Sequence, residues 1–178
     1  MKTFIYALPL TCFIFASVAI AATDGINGST STGTAEIQVT KGDGVRVSDL
    51  QDFNFGSGNT APGPQFDDIC IYSTTGSYTL TASSNGNGSG GPQFRMINTT
   101  STEHIRYFVE FRDDTFSQNG TGLIHNVASA TYNNADTVSD SCSGGVNSRL
   151  ILRIDNPTFN AATPGTYVDT LTLLVQPI

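Results

Sequence analysis

Short alternations of apolar and polar residues, separated by turns rich in glycine and proline, run along most of this chain. The clearest lies in Pro164–Ile178, where a Pro-Gly turn precedes a run of β-branched and apolar residues. This pattern predicts a strand with one buried face. No hairpin partner follows in the sequence, so we expect one strand edge to need cover from elsewhere. The residues predicted to share the apolar side are Tyr167, Asp169, Leu171, Leu173 and Val175.

A second alternation, Thr34–Thr40, is the candidate for that cover. Ala35, Ile37 and Val39 alternate there with polar residues, which predicts a short strand with one apolar face. The stretch before it, Thr23–Gly33, is too rich in Gly, Ser and Thr to order by itself. The same strand could instead fold back against the C-terminal strand of its own chain.

Further alternations predict the remaining strands. The strongest forms a hairpin, with Phe94–Met96 and Ile105–Phe111 on either side of a polar turn. A weaker strand is predicted within Leu123–Ala130, and no stretch shows helical periodicity. About seven short strands separated by turns predict an all-β immunoglobulin-like sandwich. The other predicted strands are Val45–Val47 with a continuation through Leu50, Phe53 and Phe55, then Ile69–Tyr72, Tyr78–Ala82 and Arg149–Ile154.

The N-terminus has the pattern of a secretory signal. Lys2 supplies the positive start, Phe4–Ile20 the apolar run, and Ala19–Ala22 a small-residue cleavage site. We therefore expect an exported protein in three parts: a signal peptide over 1–22, an N-terminal extension over 23–41 and a sandwich domain over 42–178. No other run approaches the ~20 apolar residues of a membrane span.

The charge and the cysteine content bear on the class of partner and on the covalent structure. The net charge is −7, which makes nucleic acid an improbable partner. Cys12 is expected to leave with the signal peptide, so Cys70 and Cys142 remain in an oxidising compartment. An even pair there predicts a structural disulfide.

The sequence offers little catalytic chemistry. His104 and His125 are the only histidines, and neither lies in a pattern that indicates a nucleophile or a metal site. The acidic pairs Asp67–Asp68 and Asp113–Asp114 lack the ligand spacing of a calcium loop and are predicted to be solvated turn residues. We therefore predict no catalytic residue, no metal and no cofactor.

Four segments in this order resemble the secreted pilin domains of archaic chaperone-usher pili, including those described as spore-coat-U-like. Together with the stretch Thr34–Val39, these four segments cover much of the chain after the signal peptide. It implies an incomplete immunoglobulin-like fold that lacks its last strand and is completed by a donor strand. The segments are LQDFNFG from Leu50, CIYSTTGSYTL from Cys70, the hairpin Phe94–Asp113 and PGTYVDTLTLLV from Pro164.

The resemblance also implies which residues assemble and with what partners. The donor residues would be Ala35, Ile37 and Val39, and the missing strand would come first from a periplasmic chaperone and then from the next subunit, at an outer-membrane usher. Many members of that family carry a cysteine just before the segment matching LQDFNFG. None stands there in this chain, so Cys70 is left to pair with Cys142. The acceptor groove would be lined by Val45, Val47, Tyr167, Leu171, Leu173 and Val175.

These observations predict a structural pilus subunit at the cell surface, without enzymatic activity, that serves attachment or biofilm formation. The alternative is a tip adhesin or self-complemented sandwich whose loops, Ser57–Gln65 or Ser83–Pro92, contact a glycan or a host or abiotic surface. The aromatics Phe94, Tyr107 and Phe111 could form a sugar platform, but their hairpin positions favour core packing. A secreted hydrolase would need an acid/base pair that the sequence lacks.

Overall fold

The structure, a computed structural model, describes residues 24, 26–35, 37–86 and 93–178. It divides at Lys41 and Gly42 into an N-terminal segment and a domain. Among the described residues of the N-terminal segment, Thr34 forms an isolated β-bridge and Ile37–Thr40 adopt no regular secondary structure, so the strand predicted over Thr34–Thr40 is not seen at its described positions after Ala35. A lone strand has no inter-strand hydrogen bonds to hold it. The predicted signal peptide lies outside the described residues. Within these ranges, no helix has the length and hydrophobicity of a membrane span.

The domain is an all-β immunoglobulin-like sandwich, which confirms the predicted fold class. Its described part contains nine strands, one short helix α1 (Asn156–Ala161) and a 3-10 turn (Cys142–Gly144). The strands are β1 (Val45–Ser48), β2 (Gln65–Ser73), β3 (Tyr78–Ser84), β4 (Phe94–Asn98), β5 (His104–Arg112), β6 (Thr121–Gly122), β7 (Ser148–Ile154), β8 (Tyr167–Val168) and β9 (Leu171–Pro177).

The strands form a large and a small antiparallel sheet. The large sheet has the order β1-β2-β7-β5-β4-β8, with β6 beside β5, and the small one pairs β3 with β9. The predicted strands β2 and β3 are confirmed, and they belong to different sheets. The short turn between them holds Gly76 at φ 77°, a left-handed conformation that glycine adopts without steric cost. The chain thus changes layer there.

The core lies between the two sheets and follows the predicted alternation. The inward residues of β3, Tyr78, Leu80 and Ala82, are fully buried. The β4–β5 hairpin is confirmed, with Phe94 opposite Tyr107. Phe94, Tyr107 and Phe111 are buried in the core, so they do not form an exposed sugar platform.

A disulfide joins Cys70 of β2 to Cys142 of the 3-10 turn, as predicted. The S–S distance is 2.07 Å, and Cys70 is fully buried. The bridge closes a loop with a sequence separation of 72. It therefore anchors the long connection between β6 and β7 to the sheet.

The C-terminal strand is not continuous, contrary to prediction. β8 pairs with β4 in the large sheet, and β9 pairs with β3 in the small sheet. Asp169 and Thr170 connect them. The Asp169 carboxylate accepts hydrogen bonds from Tyr107 of β5 and from Ser84 of β3, so it is fixed where the chain passes between the layers.

Two further strand predictions are wrong for a local reason. Leu123–Ala130 forms only isolated contacts with β3, because Asn126 adopts φ 59°, which interrupts an extended strand. The predicted continuation of β1 through Phe55 is irregular, because Asp49 adopts φ 64° directly after β1 ends. Both stretches follow the surface of the domain without joining a sheet ladder.

The absence of helix was also wrongly predicted, since α1 follows β7. Its N-cap is Asp155, whose carboxylate accepts the Thr158 N–H, and Pro157 lies in the first turn. A helix of six residues is too short for the periodicity on which the prediction relied.

Candidate functional site

The last strand, β9, is paired along one edge only within the described part of the domain. Its other neighbour in space is β1, which lies within 8 Å Cα–Cα but forms no ladder with it. A strand edge without a partner presents a row of free N–H and C=O groups. Such an edge has the hydrogen-bonding groups that pair with a further strand.

The hydrogen-bond pattern identifies which backbone groups are free. Two backbone hydrogen bonds flank the ladder between β3 and β9. The Asn85 N–H donates to the Thr170 C=O at one end, and the Ile178 N–H donates to the Ser77 C=O at the other. Because successive residues of a strand direct their backbone groups to opposite edges, the even-numbered residues of β9 bond β3. The groups of Leu171, Leu173 and Val175 therefore point to the unpaired edge.

The side chains of these same three residues face the interior but are only half-buried. Their partners on β3 behave differently, since Leu80 and Ala82 are fully buried. The contrast shows that the core is complete beneath β3 and open along β9.

A groove of about 550 Å³ lies along this open side of β9. One wall is the segment 167–173, and the other is the irregular segment 50–55. The floor is formed by side chains from strands of the large sheet, and it is largely apolar. These floor residues are Met96, Tyr107, Leu150 and Leu152.

The wall opposite β9 is attached to the large sheet by one buried carboxylate. The Gln51 N–H donates to Asp67 Oδ2 at 2.8 Å, and Asp67 is buried within β2. Burial raises the pKa of Asp67, and the charges of Asp68 and Asp49 raise it further, while the Gln51 hydrogen bond opposes them. Segment 50–55 is therefore hydrogen-bonded to Asp67, a carboxylate whose ionised form is disfavoured by burial.

This carboxylate predicts a pH dependence. A raised folded pKa means that Asp67 contributes most to stability below its unfolded pKa of about 3.9, and that this contribution is lost as the pH rises through the folded value. Asp67→Asn keeps an oxygen acceptor for Gln51 and removes the titration. We expect the free energy of unfolding of the variant, minus that of the wild type, to increase from about pH 4 to about pH 7. Denaturant titrations at each pH measure it, and a difference independent of pH contradicts the prediction.

The predicted acceptor residues divide into two groups. Tyr167, Leu171 and Leu173 line the groove. Val45, Val47 and Val175 do not, although Val47 and Val175 pack against the core. The sequence reasoning missed the 50–55 wall and the floor. The floor could have been found from the apolar alternation of β4 and β7, had their place beneath β9 been known.

The lining of the groove includes one carboxylate of the β8–β9 connection, that of Asp169. Its Oδ1 accepts the Gly86 N–H at 2.8 Å, and its Oδ2 accepts the hydroxyls of Ser84 and Tyr107. Burial, followed by this hydrogen bond and the nearby negative charge, raises the pKa of Tyr107, which therefore stays protonated and donates. Among the described residues, no cation forms an ion pair with Asp169.

The predicted donor residues are exposed. Ile37 is 95% and Val39 92% exposed, and Ala35 is exposed as well. A predicted strand normally buries its β-branched apolar side chains. The near-complete exposure of both Ile37 and Val39 is therefore unusual.

The two histidines lie in surroundings that give no sign of a catalytic or metal-binding role. His125 is buried against the ring of Phe94, and His104 is exposed at the start of β5. No group of three metal-ligating side chains occurs among the described residues.

Asp67 and Asp68 are not turn residues, contrary to prediction, whereas Asp113 and Asp114 lie half-buried in a bend, as predicted for that pair. Asp67 and Asp68 lie within β2, where Asp68 forms an ion pair with Arg149. Asp113 follows β5 and accepts the hydroxyl of buried Tyr78 at 2.7 Å. The carboxylates of Asp67, Asp68 and Asp113 stabilise the fold, because each accepts a hydrogen bond from a neighbouring segment or side chain.

Comparison with known proteins supports the fold. No protein-family model and no curated protein sequence matches the chain, whereas seven solved chains match it in structure. One is from a chaperone–tip adhesin complex of CFA/I fimbriae biogenesis, with a TM-score of 0.54 and 15% identity over 75% of this chain and 41% of that one. Another is the CsuC–CsuE pre-assembly complex of the archaic chaperone-usher Csu pili of Acinetobacter baumannii, with a TM-score of 0.43 and 19% identity over 75% and 39%.

The chain thus spans about two fifths of the length of these solved chains. At 15% identity the CFA/I likeness is one of fold, and the Csu likeness is weaker. The sandwich described above is a fold that also occurs in proteins of fimbrial assembly.

Proposed function

We propose that this protein is a structural pilus subunit, assembled through the chaperone-usher pathway by donor-strand exchange and serving surface attachment or biofilm formation. The observation that carries the proposal is the unpaired edge of β9 above an apolar groove. The protein has no enzymatic role in this proposal.

The groove needs a strand rather than a small ligand. The backbone groups of Leu171, Leu173 and Val175 repeat along one edge, and only an extended chain presents donors and acceptors with the same repeat. The apolar floor beneath them accepts every second side chain of such a strand. Hydrogen bonds then supply affinity, and the side chains that enter the groove supply specificity.

The N-terminal segment of a second copy supplies the strand. Ile37 and Val39 alternate with polar residues and are almost fully exposed. Burying a side chain of this size stabilises a complex by roughly 1.5–3 kcal/mol. Insertion into a neighbour would therefore remove two unfavourably hydrated side chains and complete the neighbour's core at once.

The partners follow from this mechanism. A periplasmic chaperone would occupy the groove before assembly, and an outer-membrane usher would exchange it for the next subunit. The CFA/I relative was solved as a chaperone–tip adhesin complex, which supports the chaperone as a partner. The subunit would be exported through the periplasm to the cell surface.

Co-expression with a chaperone and an usher of the chaperone-usher pathway tests the proposal. Fibres released from the cells are run on a denaturing gel with and without heating. We expect a ladder of multimers in the unheated sample that collapses to monomer on heating. Monomer alone in both the unheated and the heated sample would sink the proposal and favour a self-complemented sandwich that binds a glycan or surface.

A tip adhesin is the second candidate, because the CFA/I match is to a chaperone–tip adhesin complex. A terminal subunit accepts a strand but donates none. It would appear once per fibre and would not polymerise with itself.

A further inference from the structure

We propose that Lys41 of one copy forms an ion pair with Asp169 of the next, and that this pair sets the direction and register of the inserted segment. The inference rests on the proposed function. The segment then runs antiparallel to β9, with Ala35 opposite Val175, Ile37 opposite Leu173, Val39 opposite Leu171 and Lys41 opposite Asp169.

The acceptor side carries, next to β9, a negative charge without a counter-ion among the described residues. Asp169 is half-buried and lines the groove beyond Leu171. Its Oδ1 accepts one hydrogen bond, from Gly86, so one lone pair of that atom remains. The described residues offer it no cation. A partly buried carboxylate in this position is stabilised by a cation that arrives with the partner.

The donor side ends in a positive charge at the matching position. Lys2 and Lys41 are the only lysines of the chain. Lys41 lies two residues after Val39, so in an extended segment its side chain is on the same face as those of Ile37 and Val39. A lysine can place its four-carbon stem along apolar surface and its ammonium group at the polar end.

The charges select one direction of insertion. In an antiparallel pair, each step towards the C-terminus of the donor is a step towards the N-terminus of β9. If Val39 lies opposite Leu171, Lys41 reaches Asp169. In the opposite direction, with Val39 at Val175, Lys41 would lie over Pro177 and Asp169 would have no counter-ion.

Side-chain size selects the same direction. The groove is lined by Leu171 and Leu173 but not by Val175. The antiparallel register places the large side chains of Val39 and Ile37 beside these two lining residues. The small side chain of Ala35 then lies opposite Val175, outside the groove.

Cysteine pairs test the register directly in the assembled full-length protein. Directly opposite, hydrogen-bonded residues of antiparallel strands have Cα atoms about 5.5 Å apart, within the range of a disulfide. A chain with Val39→Cys and Leu171→Cys should therefore form covalent multimers that survive heating without reductant. The matched control carries Val39→Cys and Val175→Cys and should give only the heat-sensitive ladder.

Charge variants test the ion pair. Lys41→Gln and the control Gln38→Glu each change the net charge by one negative unit, but Gln38 alternates with the inserted residues and faces away. We expect Lys41→Gln to shorten the half-time of multimer dissociation about tenfold, which corresponds to about 1.4 kcal/mol. The control should change it less than about twofold, and Lys41→Arg should restore most of the loss.

The outcomes separate this inference from the proposed function. A heat-sensitive ladder with covalent multimers in the Val175→Cys control, or with equal effects of Lys41→Gln and Gln38→Glu, overturns the register and leaves strand exchange standing. Absence of any ladder in the wild type overturns both.

Discussion

A chain carrying Ile37→Asp and Val39→Asp is expected to fold as a stable monomer and to give no ladder of multimers. Both side chains are almost fully exposed in the single chain, so their replacement should not disturb the domain. In the assembled fibre the two carboxylates would enter an apolar groove without partners. Each unpaired buried charge costs several kcal/mol, which is enough to prevent insertion.

The matched control is Gln38→Asp with Thr40→Asp. It introduces the same two charges at the alternating positions, whose side chains face away from the groove. We expect this control to keep the ladder on an unheated denaturing gel. Equal loss of multimers in both double variants would show that charge, rather than burial, controls assembly.

Removal of the disulfide should cause the largest loss of domain stability. In a chain with Cys70→Ala and Cys142→Ala, we expect the free energy of unfolding to fall by about 4 kcal/mol, because the bridge closes a loop with a sequence separation of 72 and restricts the unfolded chain. Cys70 is fully buried, so alanine also removes a packed sulfur atom from the core. Equilibrium unfolding in urea, monitored by circular dichroism, measures the change.

Wild-type protein unfolded in the presence of reductant is the control for that experiment. Reduction breaks the same bridge and keeps both sulfur atoms, so the remaining difference between this sample and the variant reports packing alone. A loss below about 1 kcal/mol in the double variant would show that the loop is already restricted in the unfolded state.

The fold could be predicted where its cause is local. The hairpin of β4 and β5 follows from alternating apolar residues on either side of a polar turn, and the structure confirms it. The bridge between Cys70 and Cys142 follows from an even pair of cysteines in a chain that is expected to be exported, and it is present. The hairpin is encoded by neighbouring residues, and the disulfide is indicated by the cysteine count alone.

Prediction failed where one residue changed the path of the chain. Alternation treated Asp169 as part of an apolar face, whereas its carboxylate binds two strands and divides the C-terminal segment between sheets. Left-handed backbone at Asp49 and Asn126 likewise interrupts stretches with good strand composition. Such conformations depend on surroundings that a single sequence does not display.

The groove was only partly predictable for the same reason. The β9 wall, with Leu171 and Leu173, could be read from the alternation of the strand itself. The floor could not, because Met96 and Leu152 belong to β4 and β7 and lie beneath β9 only through the order of strands in the large sheet.

The small sheet also determines how fast this protein can fold. β9 finds its partner β3 from the other end of the domain, and β8 likewise joins the distant β4. Because such pairings close long loops before they gain contacts, sandwiches of this kind fold in roughly milliseconds to seconds. During that interval the inward face of β3 stays uncovered, so newly synthesised chains at high concentration are expected to aggregate unless another protein shields that face.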